Sequence, residues 1–112
     1  MEVTVEYLGA AQFEVRARNH KIVCDQPEEN GGFDEGMTPP ELLLASLGTC
    51  AGYYAAEYLN ARQLPTEGMR IHVTAEKAKS PARLSSFLIK VHLAAALDDQ
   101  RTIGLLLSLI HI

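Results

Sequence analysis

The chain has 112 residues, 47% of them hydrophobic and 21% charged. That is enough apolar surface to order one domain, residues 1–112, and too little length for two. Ten Lys and Arg against fourteen Asp and Glu give a net charge of −4 with no basic run, which excludes a nucleic-acid partner. Cys24 and Cys50 are the only cysteines, too few for a disulfide framework. No basic segment followed by an apolar stretch opens the chain, so no secretory leader is expected. The longest uncharged stretch, Leu42 to Ala56, has 15 residues, short of a membrane span. The expected location is the reducing cytoplasm, with no membrane partner and both cysteines as free thiols.

Val3, Val5 and Tyr7 alternate with Thr4 and Glu6, the period-2 pattern of a half-buried strand. Leu8 to Ala11 reads as a turn. Phe13, Val15 and Ala17 continue as a second strand, with Glu14 and Arg16 opposite. Arg18-Asn19-His20 reads as a second turn, because Asn tolerates positive φ. Lys21 to Asp25 completes an antiparallel β-meander. Gln26 to Met37 is a loop with three glycines, one proline and four acids. A loop this long in a small domain is either a solvated connector or functional.

The next helix is the best-marked element. Thr38 is a suitable N-cap, Pro39 fits the first helical position, and Glu41 completes a capping box. The residues that follow are apolar almost all round, as in a helix buried on most sides. The helix extends to about Arg62, roughly 36 Å, and Pro65 and Gly68 mark its exit. Ile71, Val73 and Ala75, then Phe87, Ile89, Val91 and Leu93, alternate as two strands of a hairpin turning through Lys79 to Arg83. Asp98 and Asp99 suit the start of a last helix, which includes Ile103 to Ile112. Strands and helices are segregated along the chain, which implies an α+β fold. So apolar a central helix is hard for 112 residues to cover, and this points to a homodimer. Gly48 and Gly52 each cost about 1 kcal/mol inside a helix, so a close backbone approach is expected there, from a partner or from the same chain.

Cys50 is the first candidate for chemistry. A free Cys is most often a small buried hydrophobe, and reactivity requires a lowered thiol pKa. The helix dipole cannot supply that three turns into a helix, so a cation from elsewhere is needed. Cys50 shares a stripe with Leu43, Leu47, Tyr54 and Tyr58. Cys24, at a strand end, reads as a structural residue; it forms no CxxC motif with Cys50, though a disulfide between the two stays open. If the hairpin centres on Ala82, His72 and His92 face each other. Two imidazoles fall short of the three or four protein ligands of a zinc site, so a solvated polar face is the simpler reading and no metal is expected. His20 and His111 stand alone, and no phosphate-binding loop is present.

The stretch from Gly31-Gly32 through Thr38-Pro39-Pro40-Glu41-Leu42-Leu43 to Gly48-Thr49-Cys50 resembles the signature of the OsmC/Ohr family, and the order of elements resembles that family over nearly the whole chain. The resemblance implies an OsmC-like α+β fold: a β-meander, a long central buried helix, a β-hairpin and a C-terminal helix, intertwined as a homodimer with thiol sites at the subunit boundary. It also implies thiol-dependent reduction of small organic hydroperoxides, with Cys50 as the peroxide-attacking thiol and an external dithiol as reductant. No cofactor is implied. The family Glu would fall at Pro40, and Glu41 is the next residue. The family Arg belongs to the first turn, where this chain has none, leaving Arg16 and Arg18 as candidate thiolate-stabilising cations. The second family Cys would fall near Ser108, leaving Cys24 as a candidate resolving thiol. Family chains continue past this point, so the end at Ile112 reads as cut short. The other reading is a non-catalytic dimer that binds a small apolar or thiol ligand at the subunit interface, lined by some of Tyr53, Tyr54 and Tyr58.

Overall fold

A computed structural model of the chain describes residues 1–79, 82–94 and 97–110, with Ala82 and residues 107–110 as backbone only. The elements in order are β1 (Thr4–Gly9), β2 (Gln12–Ala17), β3 (His20–Cys24), a 3-10 turn (Glu28–Asn30), α1 (Pro39–Ala61), β4 (Arg70–Lys79), β5 (Ala82–His92) and α2 (Asp99–Ile110). The fold is α+β, with two antiparallel sheets, β1-β2-β3 and β4-β5. By its contacts the chain divides into two compact units, Met1–Leu43 and Leu44–Ile112.

The first unit holds the meander. Tyr7 pairs with Phe13 across β1 and β2, and their rings lie 5.2 Å apart. One face is charged: Arg16 contacts Glu6 at 3.0 Å and Glu14 at 3.8 Å, and Lys21 contacts Glu14 at 3.8 Å. The diagonal pairs Arg16–Glu6 and Lys21–Glu14 offset the like-charge pairs Glu6–Glu14 and Arg16–Lys21 that the register sets opposite each other. In the β2–β3 turn Arg18, not Asn19, takes the positive φ. β1 departs from expectation in burial: Val3, Val5 and Tyr7 are all more than half exposed, so its alternation marks a strand but not a covered face.

The first unit ends in the opening turns of α1, and the second is built on the rest of that helix. Its start is the expected capping box: Thr38 N–H donates to Glu41 Oε1 at 3.0 Å and Glu41 N–H donates to Thr38 Oγ1 at 3.3 Å. Its end lies before Pro65. Gln63 N–H donates to the Asn60 carbonyl and Leu64 N–H to that of Leu59. This is a Schellman closure with Gln63 in the left-handed position usually held by Gly. Gly48 seats against Val73 Cγ2 and Gly52 against Ile71, so the close approach is made by β4 of the same chain. The core gathers Ala55, Tyr58, Leu59 and Leu105, with Leu64, Met69, Val91, Leu93 and Leu97 against them.

Burial all round α1 is not observed in the single chain. Gly48, Ala51, Ala55, Tyr58 and Leu59 are buried, while Leu43, Tyr53 and Tyr54 are exposed. β4 alternates half-buried and exposed residues as expected. In β5, however, Phe87, Leu88 and Ile89 are all exposed. The hairpin register also corrects the sequence reading. Arg70 pairs with His92 and His72 with Lys90, so the two histidines are diagonal neighbours rather than opposed. The reason is a tighter turn than one centred on Ala82: Lys79 already pairs with Ala82, and the bulge between Ala75 and Glu76 moves the register only one residue back toward the expected pairing. Ser80, Pro81 and His111 lie outside the described residues.

Candidate functional site

α1 presents two unlike faces. One carries the glycines onto β4; the other carries Cys50. Its thiol is free and exposed in the single chain, where Cys50 is therefore not a small buried hydrophobe. Leu43 and Tyr54 share that exposure and Leu47 is half-buried. Tyr58 leaves the stripe. Eight residues beyond Cys50 it has rotated about 80° around the helix, and it is buried with its hydroxyl donating to the Arg101 carbonyl at 3.0 Å. Tyr53, Tyr54 and Glu57 continue the exposed face one and two turns after Cys50. The two tyrosine rings meet edge to face at 5.5 Å, and Tyr53 Oη donates to Glu57 Oε1 at 3.2 Å. The Glu57 carboxylate raises the Tyr53 pKa, since ionising the phenol would set two negative charges side by side. Thr49 Oγ1 turns back to the carbonyls of Ala45 and Ser46, so it is spent on the helix itself.

The first unit contributes an arrangement that sequence reasoning missed. Asp25 is almost wholly buried and accepts four hydrogen bonds. Gln12 Nε2 donates at 2.9 Å, and the backbone N–H groups of Gln26, Phe33 and Glu35 donate at 2.7, 3.2 and 3.1 Å. Gln12 Nε2 also donates to Glu35 Oε1 at 2.7 Å. The Gln12 amide holds the Asp25 carboxyl below the usual aspartate range. Burial works against that shift and the three N–H groups reinforce it. The loop from Gln26 to Met37 is therefore wound around one carboxylate. Gly32 is needed because a Cβ there would run into the Gln26 carbonyl and the Asp25 carboxylate, and Gly36 because a Cβ would meet the Val23 carbonyl. Asp25 N–H donates to the Met37 carbonyl at 3.1 Å, which fixes the chain just before the Thr38 cap. The available signal was an acid ending a strand beside a glycine-rich loop, whose N–H groups need an acceptor once the loop is folded.

Cys24 is buried and free, next to Asp25. Arg16 is engaged by Glu6 and Glu14, and Arg18 is held in the β2–β3 turn. Cys24, Arg16 and Arg18 belong to the first unit and Cys50 to the second. Pro40 lies in the first turn of α1, where it costs no hydrogen bond. The Ser108 side chain lies outside the described residues. Among the described residues no group of three or more His, Cys, Asp or Glu is placed to hold a metal ion, and no helix is long and apolar enough to cross a membrane.

A meander, a glycine loop closed on a carboxylate, and a long capped helix bearing an exposed thiol over a β-hairpin define an α+β thiol-helix protein. The chain belongs to the OsmC-like protein family, whose sequence profile matches residues 32–111. No curated protein matches the chain by sequence. Solved structures share the fold. A protein from Psychrobacter arcticus 273-4, described as an osmotic stress induced and detoxification response protein, superimposes with a TM-score of 0.87 at 24% identity, over 96% of this chain and 80% of its own. An OsmC-like protein from Mycoplasma pneumoniae gives 0.77 at 15%, over 96% and 78%. An organic hydroperoxide resistance protein OsmC from Legionella pneumophila gives 0.64 at 16%, over 98% and 81%.

Proposed function

We propose that the chain reduces organic hydroperoxides through Cys50. The Cys50 thiolate attacks one peroxide oxygen, the O–O bond breaks, and the alkoxide leaves as an alcohol after taking up a proton. The sulfur is left as a sulfenic acid. A second thiol condenses with it to a disulfide and releases water, and a dithiol supplies the two electrons that restore the pair. The observation that carries this reading is the exposed thiol in mid-helix, within the Gly-Gly to Cys stretch of a family that includes hydroperoxide resistance proteins. Arg16 and Arg18 are the candidate cations for the thiolate. Cys24 is a candidate resolving thiol, but its burial favours an external dithiol. The active unit is a homodimer in the cytoplasm, with the exposed apolar side of α1 turned toward the partner.

The test is the rate of Cys50 thiol loss with an alkyl hydroperoxide, followed by intact mass in wild type, Cys24→Ser and Cys50→Ser. Rapid gain of one oxygen in Cys24→Ser, absent in Cys50→Ser, is the expected result. A rate equal to that of a free thiol would refute the peroxidase. One observation favours the second reading, a binding dimer without chemistry: Arg16 is already committed to two glutamates. In that case Cys50 stays inert and an apolar or thiol ligand raises the melting temperature.

A further inference from the structure

Within the second unit, the end of α1 and the start of α2 border an open cleft with a cavity of about 550 Å³. It is not part of the thiol face: Arg62 lies 12 residues beyond Cys50, about 18 Å along the helix axis. Its lining includes Tyr58, Arg62, Asp98, Arg101, Ile103 and Gly104.

The Arg62 guanidinium is fixed in place. It stacks on the Tyr58 ring with its carbon 3.7 Å from the centroid, and its Nη1 donates to the Tyr58 carbonyl at 3.1 Å. Tyr58 is itself pinned: it is buried, its hydroxyl donates to the Arg101 carbonyl, and it occupies the space a Cβ on Gly104 would need. Asp98, the acid of this lining, is spent on its neighbour. Its Oδ1 accepts the Arg101 N–H at 2.8 Å and its Oδ2 faces Arg101 Nη1 at 3.6 Å. The lining thus carries two guanidinium groups against one carboxylate, which Arg101 takes, and Arg62 has no carboxylate partner among the described residues. In a chain of net charge −4, this is a local excess of positive charge, held in advance of any ligand.

We infer that this cavity is a binding site for a small organic carboxylate with an aryl or similar flat apolar body. The carboxylate meets the free donor edge of Arg62, for which a planar guanidinium is the matching fork. The flat body lies against the apolar side chain of Ile103 and the stacked guanidinium. The volume falls within the range of small-molecule sites.

The probe is sodium benzoate, titrated at constant ionic strength into the full chain and followed by two-dimensional amide NMR. The Arg62, Arg101 and Gly104 amides are expected to shift saturably, with a dissociation constant in the millimolar range for so small a ligand. Arg62→Met is expected to weaken binding about tenfold or more, and Arg62→Lys about threefold, because it keeps the charge and loses the planar fork. Neutral benzamide is expected to leave these amides unmoved. Benzoate binding unchanged in Arg62→Met, shifts confined to other regions, or equal response to benzamide would overturn the assignment. Inorganic phosphate binding these amides as tightly as benzoate would overturn the aryl-carboxylate class. If Arg62→Met fails to fold, the wild-type shift map and Arg101→Met decide. None of these readouts depends on Cys50 chemistry.

Discussion

Gly48 decides how closely α1 can lie on β4, and replacing it with Ala sets two effects of similar size against each other. Ala is the better helix former by about 1 kcal/mol. Its Cβ, however, would stand 3.1 Å from Val73 Cγ2 and 3.7 Å from Ile71 Cγ2, against an optimum near 3.5–4.0 Å. Val73 is β-branched and cannot turn away cheaply. Overpacking of this kind costs about 1–3 kcal/mol, so Gly48→Ala is expected to destabilise by about 1 kcal/mol net. Gly52 is a built-in comparison. Its nearest atom is Ile71 Cγ1 at 3.3 Å, a less tight approach, so Gly52→Ala is expected to be less costly than Gly48→Ala. A cycle with Val73→Ala isolates the contact. The double variant should recover about 1 kcal/mol relative to the sum of the single changes, read from urea midpoints at unchanged slope. If Gly48→Ala instead stabilises by the full helix-propensity gain, and shows no coupling to Val73, then α1 does not seat on its own β4 and the glycines serve another contact.

Two further predictions follow from burial and charge. At protein concentrations that keep the folded chain monomeric, a maleimide should label Cys50 orders of magnitude faster than Cys24, because in the single chain one thiol is exposed and the other buried; peptide mapping after a short pulse reads the ratio, and equal labelling would contradict the placement of Cys24. The Asp25 carboxyl titrates below the ordinary aspartate value of 3.8, so its contribution to stability is fully present above that value and is lost as pH falls through the lower, folded one. Urea midpoints measured from pH 5 downward should therefore fall more steeply in wild type than in Asp25→Asn, which has no proton to take up at that position.

Capping and periodicity made most of the fold readable from sequence, because their causes are local. Thr38 and Glu41 satisfy each other's backbone groups within one turn, so four residues suffice to place the start of α1. The α2 cap is equally local, with Asp98 accepting the Arg101 N–H. What escaped reading depends on partners distant in sequence. Asp25 draws donors from Gln12, Phe33 and Glu35, 13, 8 and 10 residues away, and no window of a strand pattern contains them. The His72–His92 pairing failed for a related reason: a shorter turn moves the register, and turn length leaves no mark in the alternation of side chains. For the candidate site, the Gly-Gly to Cys motif placed Cys50 on the right element. Which face of α1 it occupies was decided by Gly48 and Gly52 packing on β4, a tertiary fact.

That choice of face bears on assembly. With the small residues of α1 turned onto β4, Leu43, Tyr53 and Tyr54 are left exposed, and Phe87, Leu88 and Ile89 on β5 are exposed as well. At about 25 cal/mol for each Å² of apolar surface, covering even a few such side chains favours association by several kcal/mol before entropic costs. Within the second unit α2 does not supply that cover, since it is engaged with Tyr58 and Leu59 through Leu105. The homodimer proposed for the active unit therefore predicts a melting temperature that rises with protein concentration and a scattering mass twice 12.3 kDa. Tyr53→Glu should lower that mass toward the monomer while leaving the Leu59 core of each chain folded. A wild-type chain that stays monomeric at high concentration, with a melting temperature independent of it, would refute the dimer. It would leave the thiol face of α1 open to solvent, and a hydroperoxide site there would have to work without a partner's wall.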